Sequence, residues 1–303
     1  MRICSLLPSA TEIAFALGLG DSLVGVSHEC DYPPEARQVT VVVRSNVDPH
    51  RNTSNEIDKL VTEKLKANKS IYKIDLNLFQ EANPDLILTQ GLCDVCALDY
   101  DQVVQAAQSL AQQPKIISLN PVTLSDVLRD ISHVGKITGK TKEAELFVAG
   151  LSQRIEIVKQ RSASSDLRPK VACLEWLDPM YSAGHWVPEM VDIAGGIDCL
   201  AKAGQVSKKI TWNMIQEYQP EIIILMPCGF TVERTLEELD LLYQRPGWNE
   251  LPAIKEGRLF AVNGHAYFNR SGPRLVDGLE ILAQIIHPEI FSWNTTPDAA
   301  RRL

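Results

Sequence analysis

Two segments of this chain repeat one another, residue type by residue type, far apart in the sequence. Leu78-Phe79-Gln80-Glu81-Ala82-Asn83-Pro84-Asp85-Leu86-Ile87-Leu88 aligns with Met214-Ile215-Gln216-Glu217-Tyr218-Gln219-Pro220-Glu221-Ile222-Ile223-Ile224. Each reads as an apolar helix end, Gln-Glu, a polar residue and Pro, an acid, and then a run of aliphatic residues. Proline closes the helix because it lacks an N–H and collides with the preceding turn. The aliphatic run that follows has the character of a strand buried on both faces of a parallel sheet. Further matches flank the pair in the same order: Arg2–Leu6 with Lys170–Leu174, and Lys115–Asn120 with Arg258–Asn263. Three ordered matches predict a structural duplication.

The register offsets differ: 168 for Arg2 against Lys170, 136 for Pro84 against Pro220, and 143 for Lys115 against Arg258. The first half therefore holds an insertion of about 32 residues within residues 29–77, where the polar stretch Asn46–Glu56 lies. Between the repeats, Leu124, Val127, Leu128, Ile131, Val134 and Ile137 recur at helical spacing, and Leu146, Val148, Leu151, Ile155 and Val158 resume it after Gly135 and Gly139. The expected fold is thus α/β, with two Rossmann-like lobes bridged by one long α-helix. Its expected parts are an N-terminal lobe over residues 1–122, a bridging helix over 123–162, a C-terminal lobe over 163–290 and a tail over 291–303. A helix of that length is a strut, and the lobes are expected to enclose a cleft. Open parallel sheets bind ligands beyond the carboxyl ends of their strands. The loops to inspect follow strands 2–7, 23–27, 85–89, 171–175, 221–226 and 258–262.

Composition narrows the function. Of 303 residues, 38 are Asp or Glu and 30 are Lys or Arg, giving a net charge of -8 without a basic run, which argues against nucleic acid as a partner. No apolar run approaches the roughly 18 residues a membrane span needs. Apolar (45%) and charged (22%) fractions are those of an ordinary folded chain, which excludes disorder. The seven cysteines are odd in number and scattered, with only Cys93 and Cys96 close, unlike a secreted disulfide framework. Met1-Arg2-Ile3-Cys4-Ser5-Leu6-Leu7 runs straight into a strand pattern without the features of a leader. As written, the chain reads as cytoplasmic; with a leader removed, it reads as periplasmic.

Candidate site residues fall in the inspected loops. After the first strand, Ser9 and Glu12 match a capping box before an apolar helix. The loops at Ser27–Pro34 and Thr89–Cys96 hold His28, Cys30, Cys93 and Cys96. One imidazole and three thiolates form a common tetrahedral zinc set, and would also suit another soft metal or redox chemistry; the alternative is buried reduced thiols and a surface histidine. The second half supplies Glu175, Trp176, Met180, Tyr181, His185, Trp186 and Trp212, then His265, Tyr267, Phe268 and Arg270. Trp and Tyr in loops offer flat surfaces with a polar edge, suited to a planar or macrocyclic ligand. Arg270 is suited to a carboxylate, amide or phosphate, while Arg274 fits an ion pair at the start of the last helix. Glu175, His185 and His265 would be the acid–base groups of an enzyme, but no phosphate loop, dinucleotide fingerprint, nucleophile elbow or zinc-protease pair accompanies them. The chain reads as non-enzymatic.

Ser5-Leu6-Leu7-Pro8-Ser9-Ala10-Thr11-Glu12, Leu17–Gly20 and Asp31-Tyr32-Pro33-Pro34 resemble the start of the cobalamin-binding subfamily of ABC-transporter substrate-binding proteins. Pro84–Leu88, Pro179–Gly196, Trp212 and Arg270–Arg274 continue the resemblance in order, over residues 2–290. It implies the class III binding-protein fold, a shallow cleft with little hinge closure, and docking on an ABC permease. By position it implies that Tyr32, Gln90 and Gly91, Met180 and Tyr181, Trp212 and His265–Arg270 face a corrinoid. The chain departs from the family in lacking a leader, in lacking an aromatic just after Leu86–Leu88, and in its His28/Cys30/Cys93/Cys96 set, and so looks like a leaderless branch. The expected function is binding of cobalamin, a related corrinoid or a similar metal chelate for ABC-type uptake; the alternative is a cytoplasmic metal or redox protein built on the His/Cys set.

Overall fold

The two repeated segments fold alike at each step. Asn83 and Gln219 end their helices in the left-handed region, at φ 36° and 51°, which polar side chains tolerate better than branched ones. The acid after each proline then pins the start of the neighbouring strand. Asp85 Oδ2 accepts from the Arg2 N–H at 2.8 Å, and Glu221 Oε2 accepts from the Lys170 N–H at 2.9 Å. The Arg2 carbonyl accepts from Asp85 and Leu86 at 2.8 and 3.1 Å; the Lys170 carbonyl accepts from Glu221 and Ile222 at the same two distances.

The computed structural model describes residues 1–47, 52–67, 70–91, 100–293 and 295–303. Their strands form two six-stranded sheets. The first contains β1 (Ile3–Ser5), β2 (Leu23–Ser27), β3 (Val41–Ser45), β4 (Tyr72–Ile74), β5 (Leu86–Thr89) and β6 (Lys115–Ser118), in the order β4-β3-β2-β1-β5-β6. The second contains β7 (Val171–Leu177), β8 (Met180–Ser182), β9 (Lys208–Lys209), β10 (Ile222–Leu225), β11 (Leu259–Val262) and β12 (Ala300–Arg302), in the order β12-β11-β10-β7-β8-β9. The duplication survives in the register. Ile3 pairs with Leu86 as Val171 pairs with Ile222, all in parallel ladders. Where the repeat ends, the sheets diverge. The insertion of the first half supplies β3 and the antiparallel β4, whereas β7 turns back through the antiparallel pair β8 and β9.

The helices are α1 (Pro8–Ala16), α2 (Ser54–Lys66), α3 (Leu76–Ala82), α4 (Tyr100–Gln108), α5 (Leu124–Thr138), α6 (Thr141–Ser162), α7 (Val187–Ile193), α8 (Trp212–Tyr218), α9 (Val232–Leu236), α10 (Asp240–Tyr243), α11 (Pro252–Lys255), α12 (Gly264–Tyr267) and α13 (Leu275–Ile286). The chain divides into two units. The first comprises the described residues of Met1–Asp48, Lys59–Pro121 and Ser125–Ala149; the second comprises those of Pro49–Asp58, Val122–Leu124 and Gly150–Leu303. Each has its own apolar core. Cys4, Val42, Phe79, Ile87 and Val103 pack in the first, and Leu174, Leu177, Ile215, Ile223 and Leu225 in the second.

Three expectations need correction. Residues 123–162 form two helices, not one. Gly139 ends α5 at φ 75°, and α6 contributes residues to both units, whereas α5 lies in the first apart from Leu124. A methyl group on Gly135 would lie 2.4 Å from the Ala144 Cβ, so glycine there lets the start of α6 approach α5. Residues 291–303 are more than a tail, since β12 pairs antiparallel with β11. Ser9 does not cap α1: the cap is Leu7, with Pro8 in the first turn, and Ser9 and Glu12 are buried. No helix among the described residues is long and apolar enough to cross a membrane.

Candidate functional site

The carboxyl end of β7 organises the second unit's rim. In the antiparallel pairing of β7 and β8, Trp176 stands opposite Tyr181 and Leu177 opposite Met180. Side chains alternate across a sheet, so Leu177 and Met180 are buried on one face while Trp176 and Tyr181, both partly exposed, share the other. The Trp176 ring packs against Phe230 with centroids 5.3 Å apart. Its Nε1–H is buried and meets no acceptor among the described residues. The His265 N–H donates to the Phe230 carbonyl at 3.1 Å, which brings the loop after β11 to the same place. Trp176, Tyr181, Phe230 and His265 therefore gather around one sheet end.

Glu175 holds this end together. Its carboxylate accepts from the Ser207 hydroxyl at 2.6 Å and from the Gly184 N–H at 3.4 Å, while its carbonyl accepts from the Cys228 N–H at 3.0 Å. Burial raises the Glu175 carboxyl above the usual range, against the opposing pull of those donors. Burial also lowers the His185 imidazole, favouring its neutral form. His185 sits at φ 52° and donates its N–H to the Gln205 carbonyl at 2.6 Å. A Cβ on Gly184 would meet the backbone of Ser207 and Gln205 at 2.4 and 2.6 Å. This loop needs glycine for closeness, and Glu175 ties it to β7.

After β11, Asn263 caps α12, its Oδ1 accepting from Ala266 at 2.9 Å. Arg270 is buried and its guanidinium lies within hydrogen-bond reach of His265 Nε2. Arg274 lies over the Tyr267 ring, 5.7 Å from its centroid.

Several aromatics chosen from the sequence are packing residues. Trp186 is buried and its indole N–H donates to the Phe268 carbonyl at 2.8 Å; Phe268 is itself among the most deeply buried side chains. Trp212 donates to the Pro246 carbonyl at 2.8 Å and its ring lies 5.9 Å from that of Trp248. Met180, Trp186 and Phe268 thus support the rim from the core, and Trp212 packs against that core.

In the first unit, Tyr32 is 46% exposed beyond β2, and His28 is exposed with its ring 6.2 Å from Tyr72. The loop after β5 is held at Gly91, whose N–H donates to Asn120 Oδ1 at 2.7 Å, with Gln90 partly exposed before it. Cys30 is turned into the core, its sulfur 3.0 Å from the Thr11 hydroxyl. Buried Cys30 and exposed His28 do not share surroundings, and Cys93 and Cys96 lie outside the described residues. Among the described residues, no group of three or more His, Cys, Asp or Glu is arranged to hold a metal ion.

The sequence reading missed the contribution of residues 52–58 to the second unit. Asn55 Nδ2 donates to Asp178 Oδ2 at 3.1 Å, in the turn between β7 and β8. Asp58 raises the Tyr181 hydroxyl by its charge, after burial as the larger cause. Phe230 and Ser207 were missed as well, since neither lies in a motif.

Residues 3–265 match the model of a family described as periplasmic binding protein. An uncharacterised ABC-transporter substrate-binding lipoprotein of Bacillus subtilis is 27% identical, covering 96% of this chain and 81% of its own. The vitamin B12-binding protein of Vibrio cholerae is 26% identical, covering 92% of this chain and 86% of its own. The crystal structure of a periplasmic vitamin B12-binding protein of Vibrio cholerae superposes with a TM-score of 0.68 at 21% identity, covering 95% and 96% of the two chains. That of a periplasmic heme-binding protein of Pseudomonas aeruginosa superposes at 0.74 with 18% identity, covering 100% and 99%.

Proposed function

The chain belongs to the periplasmic binding protein family, and from that premise we propose that it captures a metal–macrocycle chelate, a corrinoid first of all, for an ABC permease. It is a binding protein and not an enzyme, and its partners are a small-molecule ligand and that permease. The observation that carries the reading is the pairing of Trp176 with Tyr181 at the carboxyl end of β7, backed by Phe230. Two adjacent aromatics give a broad apolar face with polar edges, which suits a macrocycle and its substituents. His265 and Arg270 supply polar edges beside that face. Relatives described as vitamin B12-binding proteins support the corrinoid as the ligand.

Titrating the protein with cyanocobalamin, with Trp fluorescence as the signal, tests this reading. Saturable quenching is expected, and Trp176→Ala should weaken binding tenfold or more, about 1.4 kcal/mol or greater. No saturable quenching at tens of micromolar of either cyanocobalamin or hemin would overturn it.

A further inference from the structure

The rim of the second unit is not built from the second half of the chain alone. Residues 52–58 come from the insertion of the first half and belong to the second unit. A buried ion pair fixes them there. Arg234 Nη2 lies 2.5 Å from Glu238 Oε1, Arg234 also donates to the Asn52 carbonyl at 3.0 Å, and Glu238 Oε1 accepts from the Ser54 N–H at 2.9 Å. A buried ion pair is favoured when backbone groups supply it with further hydrogen bonds, and the Asn52 carbonyl and the Ser54 N–H do so here, although Glu238 Oε2 meets no partner among the described residues.

Thr53 and Glu56 then close a capping box that starts α2. The Thr53 N–H donates to Glu56 Oε2 at 2.8 Å and the Glu56 N–H donates to Thr53 Oγ1 at 3.4 Å. With the first turn set, Asn55 reaches Asp178 through its amide nitrogen, leaving its carbonyl oxygen as an acceptor. Asp58 follows three residues later on the same helix face. It is the charge that acts on the Tyr181 hydroxyl. Lys209 pairs opposite Tyr181 in β9 but is exposed, where water and salt screen it.

We propose that Asn55 and Asp58 determine specificity at this rim, placing two acceptors on the face of α2 that meets the β7–β8 turn, where they favour a chelate with hydrogen-bond-donating amides over one with carboxylates. A corrinoid carries peripheral amides; heme carries two propionates, which a nearby carboxylate repels. The inference rests on the metal-chelate reading and names the class of chelate within it.

The test compares dissociation constants for cyanocobalamin and hemin in the full chain, in Asp58→Asn and in Asp58→Lys. Asp58→Asn keeps an acceptor and removes the charge, so it should shift the preference toward hemin at least threefold. Asp58→Lys should shift it tenfold or more. Asn55→Ala should weaken cyanocobalamin binding several-fold with less effect on hemin. Thermal melting of each variant checks the fold, and Asp58→Asn decides the question by itself if Asp58→Lys does not fold. If the wild type binds a chelate but the preference stays within twofold in Asp58→Asn, the assignment to Asp58 is overturned and the chelate reading stands. If the wild type binds neither chelate, both are overturned.

Discussion

Asp198 lies just beyond Gly195-Gly196, and burial pushes its carboxyl from 3.8 to about 6. Its Oδ1 accepts from Leu200 at 2.9 Å and from Ala201 at 3.3 Å, which oppose the rise without cancelling it. A carboxyl raised in the folded state contributes stability below its ordinary value, and that contribution is lost as pH rises through about 6. Relative to Asp198→Asn, the wild type should therefore lose up to roughly 3 kcal/mol between pH 4 and pH 7. Urea unfolding at both pH values reads the difference, and parallel profiles for the two proteins would refute it. The Arg234–Glu238 pair should behave in the opposite sense to a surface ion pair. Arg234→Met strands Glu238 in the core and should cost about 3–5 kcal/mol, whereas Arg234→Met with Glu238→Leu should recover part of that loss. Individual side chains were the least legible feature of the sequence. A tryptophan in a loop does not reveal which way it turns. Trp186 turns inward because its N–H finds the Phe268 carbonyl, while Trp176 stays at the rim because strand alternation puts Leu177 in the core instead.

Elements were legible where they carried a period or a breaker. The Asn-Pro-Asp and Gln-Pro-Glu segments announced their strands, and the alignment between them also holds in the paired register of β1 with β5 and β7 with β10. Strands of two or three residues, such as β8, β9 and β12, are too short to show alternation, and only their neighbours define them. The break between α5 and α6 was present in the sequence as two glycines, but helical periodicity on either side masked it. These glycines should respond differently to substitution. Gly139→Ala places a side chain at φ 75° in open space and should cost about 1 kcal/mol. Gly135→Ala forces a methyl group to 2.4 Å from Ala144 and should cost more, about 1–3 kcal/mol. Equal losses in chemical denaturation would contradict this account of the break.

At the scale of the whole molecule, duplication explains why one chain builds two similar sheets with parallel centres, and family membership explains what such sheets are for. The fate of the insertion could not be read in advance. Residues 52–58 are polar apart from Ile57, and what places them in the second unit is a buried ion pair far along the chain, at Arg234 and Glu238. The direct test of the account is equilibrium dialysis of the wild-type chain against cyanocobalamin, beside the double variant Trp176→Ala/Tyr181→Ala. It predicts one chelate per wild-type chain at low-micromolar concentration or below, and at least tenfold weaker retention by a folded double variant. Retention by the wild type no greater than that of an unrelated protein, or equal retention by the two, would contradict it.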